Sequence, residues 1–320
     1  MAIWVGFSVS QVSQKQDNLT GAGADPTLRR VRSIIVLAGA VTKTPLSRSI
    51  QRSLLDLPLA DGATIADRHV AAASKFAERA GLTSLDLRII VDSDSAIPKD
   101  HEVCGVVRSV VERDASPIRG VAGVLADATR DHDPDDYVVV LNGAQVFRDP
   151  MDDLIVRMLR TQSDVSMVSA RDGTPVGLWL MRCEPLLSVR SVGYVDLKEQ
   201  ALEEWRERWA IHVIERQRAP ALRTRSVNEY LNAIRYAATC PLGGDSVDED
   251  PYREEWACSF AMVETTGAVA DDAVIHDSVV LDGAKVGAGA VVVRSVICPG
   301  ATVSPGSRVA GRVLAAGEVA

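Results

Sequence analysis

The stretch SIIVLAGA, Ser33 to Ala40, joins an apolar run too short for a helix to a turn of small residues. Its Ile and Val content predicts a buried strand over Ser33–Leu37. Leu37-Ala38-Gly39-Ala40 then sets a small-residue turn at the strand's carboxyl end. Open α/β sheets bind ligands at that end, because backbone N–H groups there approach a phosphate without Cβ obstruction. Packing of a tight turn demands small residues too, so the neighbouring segments must decide. Helical periodicity covers Ala66–Ala80 and closes at Gly81, a residue able to take positive φ. Leu87–Val91, Tyr137–Leu141 and Val165–Ser169 read as short apolar strands, and Gly120–Thr129 and Met151–Thr161 as helices. Further helices are expected over Asp196–Trp209 and Asn228–Tyr236. This alternation predicts an α/β fold: a Rossmann-like, mostly parallel sheet covered on both faces.

Composition excludes several classes of function. Among 320 residues, 43 Asp+Glu outweigh 35 Lys+Arg, giving −8, and only 4% are aromatic. A chain held to nucleic acid by phosphate contacts and base stacking would carry more of both cations and rings. No nucleic-acid partner is expected. The five cysteines, at 104, 183, 240, 258 and 298, are scattered and form no zinc spacing, as expected of reduced thiols. The longest uncharged apolar stretch, near Ser33–Val41, is too short to span a bilayer, so no membrane partner is expected. The N-terminus has no positive segment before its apolar patch and reads as an extension, not a signal peptide. A cytoplasmic location follows as an expectation.

Beyond Tyr252 the sequence repeats. SVVLDGA at Ser278–Ala284 returns as SVICPGA at Ser295–Ala301, an offset of 17, which also relates Val286 to Val303 and Val292 to Val309. A small residue stands two before each aliphatic one, as in Ala284/Val286 and Ala290/Val292. Glycine recurs too often for a helix. Three short strands per turn, each sending one aliphatic side chain inward, fit the period. The expected divisions are a loosely attached tail over 1–30, an α/β domain over 31–238, a linker over 239–262 and the repeat over 263–320. Ser33–Ala237 is expected to fold without the repeat.

The repeat resembles the left-handed parallel β-helix of hexapeptide-repeat proteins. The preceding region resembles the sugar-1-phosphate nucleotidyltransferases, with a glycosyltransferase-A-like sheet. LAGA followed by PLSRSIQRSLLDLPL (Pro45–Leu59) resembles that family's opening phosphate loop and P-K-x-L-L-P segment. DASPIRGVAGVL (Asp114–Leu125) resembles its base-cupping loop, VVVLNGAQVFRDPMDDL (Val138–Leu154) its central strand and L-N-G-D turn, and VDLKEQALEEW with SVNEYLNAI its closing segments. The resemblance implies nucleotide or nucleotide-sugar binding by Leu37, Ala38, Gly39, Ala40, Gly120, Val121, Ala122, Gly123, Asn142 and Gly143. It also implies transfer of a nucleotidyl group to a sugar 1-phosphate, with release of pyrophosphate, assisted by Mg²⁺ on two carboxylates.

Both carboxylate positions depart from the pattern. The residue after Leu141-Asn142-Gly143 is Ala144, and alignment on Tyr230-Leu231 sets Arg223 at the second. A methyl offers no oxygen and a guanidinium repels a divalent cation. Asp149, Asp152 or Asp153 would have to substitute if Mg²⁺ is held at all. The loop after Ala40 is short and keeps only Lys43 as a cation, and the P-K pair becomes Gln51-Arg52. Arg52 and Arg223 are therefore candidate phosphate contacts. Two readings follow: a nucleotidyltransferase, or a non-catalytic regulatory or assembly subunit that binds nucleotide or nucleotide-sugar. A third, a hexapeptide acyltransferase, would rest on His276. The repeat is expected to mediate a homo- or hetero-oligomer.

Overall fold

The computed structural model describes residues 26–39, 44–99, 105–114, 118–240 and 259–320. Order begins before Val31. Pro26–Arg30 forms one 3₁₀ turn with Leu28 buried, which shortens the expected tail. The remainder of that tail, Ala40, Lys43 and most of the linker lie outside the described residues.

The elements run β1 (Val31–Leu37), α1 (Pro45–Ser49), α2 (Ile65–Ala80), β2 (Leu85–Val91), β3 (Val107–Arg113), α3 (Gly120–Ala128), β4 (Tyr137–Asn142) and β5 (Gln145–Phe147). They continue through α4 (Met151–Arg160), β6 (Val165–Ala170), β7 (Pro175–Arg182), α5 (Cys183–Leu187), α6 (Leu202–Trp205), β8 (Ile211–Arg216), β9 (Ala221–Arg223) and α7 (Val227–Thr239). Among the described residues the main sheet has the order β3-β2-β1-β4-β7-β6-β8. It is parallel except where β7 runs against β4 and β6. The sheet is thus mixed α/β with parallel pairings dominant. The central strands β1 and β4 are apolar on both faces and nearly wholly buried, which is why they stood out in the sequence. β3 and β8 lie at the two edges, are only part-buried, and carry too many charges to announce themselves.

Local signals place the helices. Thr64 and Asp67 cap α2 reciprocally, and Gly81 ends it at φ 61°. Ser226 and Glu229 do the same for the start of α7. The helix expected over Asp196–Trp209 is a correction. A π-turn over Leu197–Ala201 leads into the four-residue α6, after which the chain leaves the helix.

The C-terminal part forms ladders with a constant offset of 17, as in Val274↔Val291↔Arg308 and Val279↔Val296↔Val313. Short strands β10 (Ala261–Val263), β11 (Ala268–Val269), β12 (Val274–His276), β13 (Ser278–Val280), β14 (Lys285–Val286), β15 (Val291–Val293), β16 (Val296–Ile297), β17 (Thr302–Val303), β18 (Arg308–Ala310) and β19 (Val313–Leu314) follow. They build three parallel sheets: β10-β13-β16-β19, β11-β14-β17 and β12-β15-β18. Val286, Val292, Val303 and Val309 are buried and share one cluster with Val280, Ile297 and Leu314. Their neighbours Val279, Leu281, Val296 and Cys298 turn outward into the large core of the α/β region. Ion pairs flank that junction: Arg52 grips Glu264 through both terminal nitrogens at 3.0 Å, and Arg235 meets Asp277 at 2.8 Å. Burial pushes the Asp277 carboxyl up, but the Arg235 guanidinium and the Phe260 amide outweigh it and hold it below the usual range. The expectation that Ser33–Ala237 folds alone thus meets a shared core.

Candidate functional site

The carboxyl ends of β1, β2 and β4 converge, and the turns there are bound to one another. The Ala38 and Gly39 amides both donate to the Ile90 carbonyl, at 2.8 and 3.2 Å. A Cβ on Gly39 would come within 2.9 Å of the Asp92 amide nitrogen, so the sequence needs glycine there for packing. These two amides are corrected from the expected phosphate donors to internal ones. Across the sheet, Gly143 donates to the Leu37 carbonyl at 3.0 Å, and the exposed Asn142 accepts from Ala144 through Oδ1 at 3.0 Å.

His69, on the buried face of α2, completes this turn. Its Nε2 lies 2.9 Å from the Gly143 carbonyl, which makes Nε2 the protonated nitrogen, and its ring meets Phe147 edge-on at 6.2 Å. Burial lowers its pKa to about 4, with the carbonyl opposing only part of the shift, so the ring is neutral. Nδ1 is buried without a partner among the described residues. Sequence reading passed over His69. The available signal was a histidine three residues after Ala66 and one before Val70, on the apolar stripe of an amphipathic helix.

The two positions that the resemblance gives to metal ligands do come together, although almost 80 residues separate them. β5 and β9 pair with Gln145 opposite Arg223, and Thr224 donates to the Ala144 carbonyl at 3.0 Å. Arg223 is exposed and donates to the Pro175 carbonyl at 3.3 Å. Its charge also helps hold Asp172 below the usual carboxylate range, after the larger effect of hydrogen bonds from Thr174.

A divalent cation would need oxygen ligands here, and the donor set does not fit one. Ala144 and Arg223 supply none. Asp149, the expected substitute, is buried and held by Arg216 at 2.7 Å. Asp152 is bound by Arg79 at 2.6 Å, and Asp153 joins the same guanidinium. No cluster of three His, Cys, Asp or Glu side chains able to hold a metal occurs among the described residues. For any of these aspartates to take a metal it would have to leave its arginine, Asp149 leaving Arg216, and Asp152 or Asp153 leaving the Arg79 they share.

The Gly120–Gly123 segment is likewise engaged. It forms the start of α3, Ala122 donates to the Val195 carbonyl at 3.2 Å, and Val195 donates back to the Arg119 carbonyl at 2.9 Å. Gly120 has φ 69°, and a Cβ there would sit 2.5 Å from the Val195 oxygen. Any side chain at 120 would displace the 190s loop. Val121 is partly exposed, whereas Ala122 and Gly123 are buried. Arg52 is also corrected. Its guanidinium is committed to Glu264, which in addition accepts from the Asp282 amide at 2.7 Å.

Trp205 is buried and Trp209 stands edge-on to it at 6.4 Å, so neither offers a base platform. His276 is half-exposed, with Nδ1 3.5 Å from an Asp277 already held by Arg235. Among the described residues no helix is long and apolar enough to cross a membrane.

No family model and no curated protein matches the chain. Among solved structures, HddC from Yersinia pseudotuberculosis matches 64% of this chain and 99% of its own, at 14% identity and a TM-score of 0.49. The same protein complexed with GMP-PN matches at 13% identity and a TM-score of 0.46, again over 64% of this chain and 99% of its own. A proposed glucose-1-phosphate thymidylyltransferase from Bacillus anthracis, in complex with a sucrose, covers 65% of this chain and 95% of its own, at 13% and 0.47.

Proposed function

We propose that this chain is a non-catalytic relative of the sugar-1-phosphate nucleotidyltransferases, which binds nucleotide or nucleotide-sugar without metal-assisted turnover and serves as a regulatory or assembly subunit. The observation that carries the reading is the hydrogen bond from Thr224 to Ala144. It brings the two positions where the resemblance requires carboxylates side by side, and there the side chains are a methyl and, next along, a guanidinium. With no oxygen ligand to neutralise a triphosphate, in-line attack at the α-phosphorus lacks its electrostatic support. Arg223, exposed at the end of β9 and paired across to Gln145, is a cation able to meet a phosphate directly.

In this reading the ladders of residues 263–320 are a left-handed hexapeptide-repeat β-helix, joined through the 239–262 linker to an α/β domain over 31–238. β18 and β19 carry no further strand on their outer edges among the described residues, and that edge backbone supports assembly with a second chain.

The test is pyrophosphate release from each common nucleoside triphosphate with glucose 1-phosphate and mannose 1-phosphate, beside calorimetric titration with nucleoside diphosphates. The expected result is no release and binding that survives EDTA. Arg223→Ala should weaken binding about tenfold, the effect of one charge-assisted contact. Mg²⁺-dependent release by the unmodified chain overturns the reading, as does binding abolished by EDTA.

A further inference from the structure

A pocket of about 390 Å³ lies behind the Gly120 turn, between the 188–195 loop and the entry to α6. Its apolar lining is Val189, Val195 and the edge of the buried Trp205, and its polar lining includes Arg190, Gln200 and Glu204. The π-turn shapes it. Ala201 donates to the Asp196 carbonyl at 3.0 Å, one residue beyond the α-helical partner, and such turns concentrate at functional sites. The turn leads into α6 with Gln200 and Glu204 four residues apart, on one face.

The charges of this pocket are left open. Glu204 is exposed and its carboxylate has no hydrogen-bond or ion-pair partner among the described residues. Gln200 spends its Oε1 on the Asp196 amide at 2.8 Å, which leaves its NH₂ group to donate. Arg190 spends Nη2 on the Tyr194 carbonyl at 2.7 Å and forms no ion pair with Glu204. The same loop holds Val192 and Tyr194 in solvent, Val192 at 79%. One cation and one anion thus line a small cavity with an apolar floor, and apolar side chains stand next to them. A sugar would want an aromatic face to stack on, but Trp205 is 1% exposed and offers none.

We propose that this pocket binds a free α-amino acid with an apolar side chain. The Arg190 guanidinium takes its carboxylate, Glu204 takes its ammonium, and Val189 and Val195 receive its side chain. Val195 is the wall shared with the candidate nucleotide site, since its backbone holds both Arg119 and Ala122. An occupied pocket therefore restrains the Gly120 turn.

The experiment is calorimetric titration of the full chain with L-leucine and, separately, with N-acetyl-L-leucinamide, followed by hydrogen exchange with and without L-leucine. Expected are saturable binding of L-leucine, at least tenfold weaker binding in Glu204→Gln, and none of the blocked analogue. Slower exchange is expected over residues 188–196 and 119–123. Arg190 and Glu204 are both exposed, so an Arg190→Gln chain, matched by circular dichroism, serves as a second weakened variant should Glu204→Gln misfold. No saturable binding up to about 10 mM, well beyond the affinity that two charge-assisted contacts sustain, overturns the proposal. Equal binding of the blocked analogue, affinity unchanged in the folded variants, or protection confined to other segments overturns it as well.

Discussion

The carboxyl edge of the sheet and the C-terminal ladders satisfy their backbone groups in opposite ways. In the ladders each strand finds its partner 17 residues away, so one spacing explains Val274 with Val291 and Val279 with Val296 alike. At the sheet edge the partners obey no spacing: Ala38 and Gly39 go to Ile90, Ala144 to Asn142, and Ala122 to Val195. The lesson concerns motifs. LAGA, LNG and GVAG provide small residues and amides where a ligand could use them, but whether those amides are free depends on segments dozens of residues distant. In this chain several are already bonded. The region with the repeat is readable from one spacing, whereas in the region with the motifs the amides are taken up by distant segments.

The two regions are nonetheless welded, and the strongest way to break the comparison is to separate them. Ending the chain at residue 258 removes Val279, Leu281, Val296 and Cys298 from the large core and leaves Arg52 and Arg235 without their carboxylates. The remaining α/β segment is expected to lose its cooperative thermal transition by circular dichroism. A cooperative melt within about 3 °C of the full chain, the effect of roughly 1 kcal/mol at this size, would show the ladders to be an independent attachment.

The next effect sharpens what holds the weld. The Arg52 and Glu264 side chains are only 15% and 16% exposed, so removing either partner strands a charge. Arg52→Met or Glu264→Leu alone is expected to cost about 2–4 kcal/mol in urea unfolding, whereas the double substitution is expected to cost less than about 1 kcal/mol. Additive single costs would mean that the pair contributes packing and no electrostatic coupling.

The third effect belongs to the sheet edge and is read through pH. His69 has a folded pKa of about 4 against an ordinary 6.5, so below pH 6.5 the unfolded chain binds the proton that the folded chain refuses. Its contribution is intact above pH 6.5 and is lost as the pH falls toward 4. The loss has an upper bound of about 3.5 kcal/mol, from roughly 1.4 kcal/mol per pKa unit. Urea midpoints at pH 7.5 and 4.5 for the parent and His69→Gln should show a shallower pH slope in the variant. Equal slopes would mean that His69 takes up its proton in place, and that the Gly143 turn is not built on a neutral ring.

Much of the fold was legible because it rests on short-range rules. Apolar runs marked β1 and β4, Gly81 marked the end of α2, and the 17-residue offset set the ladder register. Sequence also showed that Ala144 and Arg223 could hold no metal, since that follows from the chemistry of a methyl and a guanidinium. Tertiary structure decided the rest, because the free energies at stake depend on who is near whom. Only the folded chain shows Arg52 held by Glu264, Asp149 held by Arg216, and the Gly120 turn closed by Val195. A buried charge or amide is stable only with a partner, and that partner comes from wherever the topology brings one. No local pattern in the sequence records that choice.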